Sequence, residues 1–363
     1  MTHVSSSAPI LLDAASATPP SRTPWGGHRI AARKAAPGGG SGAEPGGIVG
    51  ESWEISLDPD FPSRTLDGVP LADVLRADPA HYLGREARVG RTGTALLLKW
   101  LDAAERLSLQ IHPRDGDPAL APLESGKPEA WYVVERTPGA GLYIGYRVGV
   151  GESEIRHAID AGNSLEPLLQ FVAVEPGDFF VIEAGTPHAI GEGVFVVEPQ
   201  HVVPGRHGVT YRYWDWGRRY DKAGRASADG APRELHLEAA LRVTDWSCAG
   251  ADWLAGVRFR AGRAALGGAM CVEPLGGPGA PVSSDHLAVW RVAGTGEAAL
   301  PETDTLRGIT LLEGEVEVEN AGGAVRLVAG QTAVVPAAAQ SVRIQGRGAH
   351  GVLASVVVVD GRP

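Results

Sequence analysis

The sequence predicts an all-β protein with helices inserted between its strands, and three observations carry that expectation. The 49 glycines and 27 prolines cut the 363 residues into many short apolar segments, the punctuation of strands joined by tight turns. Residues 107–112 alternate, with Leu107, Leu109 and Ile111 on one side and Ser108, Gln110 and His112 on the other. That is the period of a strand with one apolar face. From about Thr244 onward, short β segments recur towards the end of the chain.

Taken in order, residues 1–8 look like a flexible leader, and the apolar run ILL that follows is too short for a secretion signal. Residues 37–47 are rich in glycine but precede no G-K-[ST], so they read as a surface loop and not as a phosphate cradle. Three segments carry apolar residues at helical spacing: 70–83, 152–170 and 234–243. In the second, Ile155, Ala158 and Ile159 share a face and Ser153 is the expected N-cap. The third, with Leu235, Leu237, Ala240 and Leu241, is expected to link a domain over 9–243 to another over 244–363.

Hydrophobic residues at 44% and charged residues at 21% are the balance of a soluble globular protein, and the length suffices for two domains. A net charge of -10 disfavours nucleic acid and anionic membrane surfaces as partners, while leaving room for a local basic pocket. No stretch approaches the length of a membrane span. Cys248 and Cys271, the two cysteines present, make no disulfide framework, so a reducing, cytoplasmic compartment is the simpler expectation.

The chemistry concentrates in three segments. Pro113 cannot donate to a sheet ladder, so it ends the strand that carries Gln110 and His112 and releases the loop over 114–125. Gly126-Lys127-Pro128-Glu129 then returns the chain into the apolar run WYVV, a second strand. Residues 175–190 read EPGDFFVIEAGTPHAI: a Pro-Gly turn, a strand over 179–182, a Gly-Thr-Pro turn and His188. Together Gln110, His112, Glu129 and His188 offer an amide oxygen, two imidazoles and a carboxylate. Such a set suits a borderline divalent cation such as zinc, with iron or manganese as alternatives, and leaves coordination room for water or substrate. Taken singly, each has a plainer reading: a lone histidine on a strand is more often a hydrogen-bonded structural residue, and Glu129 alone reads as a surface carboxylate beside Lys127.

The spacing G-x5-E-x-G-x2-H from Gly177 to His188 resembles the second conserved motif of cupins, with Glu183 where proline is usual. Gln110-x-His112 stands where that family has His-x-His. Gly330 to Pro336 repeats half of the same motif, with Ala338 in place of glycine and Ser341 in place of the histidine, and residues 314–317 look like a strand turn without H-x-H. The resemblance implies two jelly-roll (cupin) β-barrel domains, the second lacking metal ligands. In this order, the Gln-x-His-Pro strand, the Lys-Pro-Glu turn and the GTPHAI turn resemble the type I mannose-6-phosphate isomerases. Residues 9–12 followed by Trp25-Gly26-Gly27, the GESWE of 50–54, the LLLKWLD of 96–102, and Thr210-Tyr211-Arg212 with Asp215 are similar to further segments of that family.

That resemblance implies a metal-dependent aldose–ketose isomerase interconverting mannose 6-phosphate and fructose 6-phosphate through an enediol, with one zinc ion per chain, as a monomer or homodimer. The reaction needs a base over the sugar, a stabiliser of charge on O1 or O2, and a grip on the phosphate. Arg212 suits an enediolate or phosphate oxygen, its plainer reading being an ion pair with Asp215. Lys127 and Glu198 are the candidate bases. Lys99, Ser108, Lys127 and Arg212 are the candidate substrate-binding residues; Lys99 shares its face with Leu97 and Leu101 and so points inward, unless it reaches solvent from the strand end. Glu51, Trp25 and Trp53 are expected to shape the pocket. Many family members carry an aspartate four residues before that arginine, where this chain has Gly208. Two other functions fit the donors: an iron-dependent cupin oxygenase, and a sugar-phosphate-binding cupin without chemistry.

Overall fold

The computed structural model describes residues 7–35, 46–221 and 227–359, so most of the leader and of the glycine-rich stretch lies outside the described residues. Three large antiparallel sheets and a few short helices make up a mostly β, cupin-like structure. A six-stranded sheet runs in the order Arg258–Arg260, Asp178–Ile182, Glu129–Arg136, Val194–His201, Leu96–Asp102, Glu51–Ile55. A five-stranded sheet runs Tyr211–Trp214, Leu109–Ile111, His188–Ile190, Gly141–Tyr146, Leu169–Ala173. The third sheet, of seven strands, takes its strands from residues 271–356 plus Ile10–Leu11.

Why the six-stranded sheet is so apolar follows from its place in the middle. Alternate residues Leu101, Trp131, Val133, Phe180, Ile182, Val194 and Val196 meet Leu142, Ile144 and Ile190 of the five-stranded sheet. Their neighbours Leu98, Trp100, Tyr132, Phe179, Phe195 and Val197 meet Leu287, Val289, Val334 and Val352 of the seven-stranded sheet. Both faces are therefore buried, and WYVV and VFVV run without polar alternation for that reason. A one-residue slip of Val194–His201 would exchange the two faces and push Glu198 into the apolar interface, so the register is strongly fixed.

Chain exchange ties the parts together. Ile10 and Leu11 pair with Val334 and Ala333, while Arg258–Arg260 pairs with residues 178–180. No helix among the described residues is long and apolar enough to cross a membrane.

The helical segments are shorter than their apolar spacing suggests. Residues 70–83 split into Leu71–Ala77 and Pro79–Leu83, because a residue before proline is driven out of helical geometry; Asp78 has φ -149° and caps the second helix by accepting from the His81 N–H. The segment at 152–170 is helical only over Glu152–Asp160, breaks at Gly162 (φ 67°), and after a 3-10 turn becomes the strand Leu169–Ala173. Ser153 is not its cap: the helix starts after Gly151, whose N–H is taken by Glu154 Oε2 at 2.9 Å. The third helix begins at Leu237, after a His236 whose backbone is not helical (φ -111°, ψ 47°) and whose N–H donates to the Arg212 carbonyl. Residues 314–317 make no turn. They lie inside the strand Arg307–Asn320, where Gly314 (φ 73°) sits at a register shift, a bulge.

Candidate metal centre and cleft

Strand parity delivers the side chains. Leu109 and Ile111 pack outward against the helix residues Ile155 and Ala158, so Gln110 and His112 turn into the space between the two N-terminal sheets. His188 pairs directly with Gln110 across the antiparallel ladder and shares its face with the inward Ile190. From the opposite sheet, Glu129 shares parity with Trp131 and Val133, Glu198 with Val194 and Val196, and Lys99 with Leu101.

His112, Glu129 and His188, all buried, bring one ligand atom each within 4.8 Å of the others. His112 Nε2 lies 3.4 Å from Glu129 Oε2, and His188 Nε2 lies 3.2 Å from Glu129 Oε1. The far nitrogens face carbonyls: His112 Nδ1 is 3.0 Å from the Val209 oxygen, His188 Nδ1 2.8 Å from the Thr186 oxygen. A carbonyl only accepts, so each Nδ1 carries the hydrogen and each Nε2 presents a lone pair to the carboxylate. Burial, with the Lys127 charge next, pushes His112 down to about 3, so its contact with Glu129 is not an ion pair at neutral pH. Burial opposes ionisation of Glu129, but the Lys127 charge beside it outweighs this and holds the carboxyl well below its ordinary range. Two lone pairs facing a carboxylate, with the buried His112 Nε2 lacking any hydrogen-bond partner, are an arrangement that a cation completes. The residues fit a divalent metal.

Around this centre, a small chamber of about 50 Å³ is lined by Gln110, Glu198, Lys99 and Lys127 as well as the triad's Glu129 and His188. It opens into a cleft of about 830 Å³. Gln110 Nε2 donates to Ser108 Oγ at 3.2 Å, which leaves the amide oxygen for the chamber. Lys127 Nζ is 3.5 Å from Glu129 Oε2. Lys99, 7% exposed, points inward; its Nζ lies 3.8 Å from the Trp53 ring centre and 3.7 Å from Glu51 Oε2. Glu198 accepts from Trp131 Nε1 at 2.8 Å and from Gln200 Nε2 at 2.7 Å. Burial, reinforced by the Glu129 carboxylate, pushes its carboxyl up to about 8.

Arg212 lines the cleft but does not pair with Asp215. Asp215 instead takes Arg218 and Arg233, and Arg212 Nη1 donates to the Glu234 carbonyl at 2.9 Å. Gly208 lies against Lys127, whose Cδ is 3.0 Å from where a Cβ would be. Two residues here escaped the sequence reading. Gln200, which bridges Glu129 and Glu198, was recoverable from parity with Glu198; Arg233 carried no local signal.

The fold and donor set are those of a mostly β, cupin-like protein with a two-histidine, one-carboxylate cluster that fits a metal ion. No family model matches the chain. A mannose-6-phosphate isomerase of Streptococcus mutans serotype c is 35% identical over 224 residues, which are 60% of this chain and 63% of that protein. Among solved structures, the mannose 6-phosphate isomerase from Bacillus subtilis superposes with a TM-score of 0.71 at 23% identity, covering 97% of this chain and all (100%) of the other. A mannose 6-phosphate isomerase bound with zinc and yttrium gives 0.66 at 16% identity, over 96% and 100% of the two chains. The chain is thus similar in sequence to mannose-6-phosphate isomerases over about 60% of its length and shares its fold with them over nearly all of it. The sequence match to the Streptococcus relative spans less than two thirds of that protein's length, at 63%.

Proposed function

We propose that this protein is a metal-dependent isomerase that interconverts mannose 6-phosphate and fructose 6-phosphate through an enediol. The observation that carries the reading is the His112–Glu129–His188 cluster, with its unpartnered buried Nε2, at the inner end of a cleft lined by lysines and arginines. His112, Glu129, His188 and the Gln110 amide oxygen would hold one zinc ion, which supplies Lewis-acid polarisation of the sugar's O1 and O2. Lys127 and Glu198 flank the same chamber as the acid–base pair for moving a proton between C1 and C2. Glu198 favours its protonated form near neutrality, so it is suited to give a proton. Lys99, Ser108 and Arg212 orient the chain of the sugar, and Trp25, Trp53 and Glu51 wall the cleft and limit access of water.

In our reading the catalytic work belongs to residues 9–243, organised as a jelly roll, and residues 244–363 form a second jelly roll that packs against it without a metal. A cytoplasmic monomer or homodimer acting on a small sugar phosphate accords with two free cysteines and an acidic chain. The test is elemental analysis of the purified protein beside a coupled assay with mannose 6-phosphate, before and after chelation. Turnover should vanish with the metal and return on adding zinc. Undiminished turnover in a metal-free sample, or full activity in a folded His112→Ala, Glu129→Ala or His188→Ala protein, would end the proposal.

A further inference from the structure

The isomerase reading gives Arg212 only a general part in orienting the sugar and leaves its neighbour Arg233 without a task. Arg212 and Arg233 line the outer cleft and not the inner chamber, whereas Lys99 and Lys127 line both. Arg233 reaches this place by an excursion: the chain leaves the five-stranded sheet after Trp214, pairs Arg219–Tyr220 with Ala231–Pro232, and comes back. On its return the guanidinium is fixed by two bonds in one plane, Nε to Asp215 Oδ2 at 2.8 Å and Nη2 to Oδ1 at 2.6 Å. The Tyr220 ring centre lies 5.0 Å from it. Asp215, 4% exposed, also accepts from Arg218 Nη2 at 2.6 Å.

Two guanidinium groups, Arg218 and Arg233, thus share a single buried carboxylate, with Glu105 Oε2 3.8 Å from Arg218 Nη1 as the other acid in range. Arg212 itself has a carbonyl as partner and, among the described residues, no carboxylate in ion-pair range; its Nε is buried without any hydrogen-bond partner. Burial and the neighbouring Arg233 charge both weaken the hold of Arg212 on its proton, so the two like charges act on each other. Excess positive charge fixed in a partly dry corner calls for an anion, and several oxygens are needed to engage two planar forks at once.

We propose that Arg233 and Arg212 together form the clamp for the phosphate dianion, Asp215 acting as the positioning residue that presents Arg233. The assignment rests on the isomerase reading for its substrate, but the clamp is testable without it. Phosphorylation of the sugar then becomes a condition of productive binding, and the reacting carbons are carried inward to the chamber with Lys127 and Glu198.

The experiment uses the full-length, metal-loaded protein as wild type, Arg233→Gln and Arg233→Lys. Inorganic phosphate binding is measured by titration calorimetry and by competition, alongside KM and kcat for the phosphorylated sugar, turnover of the unphosphorylated sugar, and metal content. Arg233→Gln should weaken phosphate binding and raise KM by about 10- to 100-fold, the loss of one charge-assisted contact. Its kcat, its metal content and its turnover of the unphosphorylated sugar should stay near wild type, and Arg233→Lys should recover part of the loss. Unchanged phosphate affinity in Arg233→Gln overturns the clamp. Equal losses on phosphorylated and free sugar also overturn it, since they make Arg233 an anchor of its excursion only. If the wild-type protein turns over no sugar phosphate, the isomerase reading fails, and the calorimetry alone still decides the clamp.

Discussion

Glu129→Gln removes a charge from the metal centre at almost constant volume, and its consequences differ sharply with and without the ion. In the metal-free protein, Glu129 Oε2 lies 3.5 Å from Lys127 Nζ, a gross attraction of about 5 kcal/mol at an effective dielectric constant of about 20. Against this stands the several kcal/mol needed to desolvate a carboxylate that is 2% exposed. The two terms oppose, and the metal-free proteins should differ by no more than about 2 kcal/mol. With zinc the balance changes. At free zinc about 100 times its dissociation constant, the wild type gains about 2.7 kcal/mol, a rise of about 3–4 °C in unfolding midpoint for a chain of this length; the neutral amide should forfeit nearly all of this. Urea and thermal unfolding of both proteins, with excess zinc and with a chelator, read the four states, and elemental analysis counts the metal. If Glu129 were only the ion-pair partner of Lys127, the pattern would invert: a large loss in the metal-free protein and no zinc effect in either. A zinc-linked rise in Glu129→Gln equal to that of the wild type would refute the centre described here.

Three further outcomes follow from the same geometry. Gln200→Leu removes the donor to Glu129 Oε2 and Glu198 Oε2, both at 2.7 Å, and should cost about 2–4 kcal/mol in urea unfolding through two under-satisfied buried acceptors; a change below about 0.5 kcal/mol would show that the network relaxes without it. His201 is lowered from 6.5 to about 3 by burial, then by Arg91 and His286, so between those values the unfolded chain binds a proton that the folded one refuses. Its contribution to stability is therefore complete above pH 6.5 and is lost on acidification by up to about 1.4 kcal/mol per pH unit; unfolding titrations of His201→Asn should show a slope shallower by that one proton, and an unchanged slope contradicts the assignment. Gly208→Ala places a methyl 3.0 Å from Lys127 Cδ and should displace the amine, lowering kcat about tenfold, or ~1.4 kcal/mol, with zinc content intact; wild-type kcat would separate Lys127 from that contact.

What could be read from sequence and what could not divide along a physical line. Period-two alternation is a local property, so a strand announces which of its residues share a face. That is why Gln110 goes with His112, and why Leu97, Lys99 and Leu101 turn together. Apolar runs such as VFVV also announce a strand covered on both sides. Which faces then meet is not local. Nothing near Ile10 says that it pairs with Val334 in the last sheet, because an edge is filled by whatever strand reaches it. Helix ends are not local either: residues 234–236 keep helical spacing, yet the backbone of His236 is not helical and its N–H donates to the Arg212 carbonyl. Charge pairing is the least legible. Arg212 is three residues from Asp215, a spacing that invites a pair, and in a strand this separation sends the two side chains to opposite faces. The local bulge between Arg212 and Trp214 and the return of the chain at Arg233 decide which cations the carboxylate keeps. Seen from the sequence, Arg218, Arg219 and Arg233 are equivalent; the ladder that pairs Arg219 with Pro232 brings Arg233 back to Asp215 and the cleft.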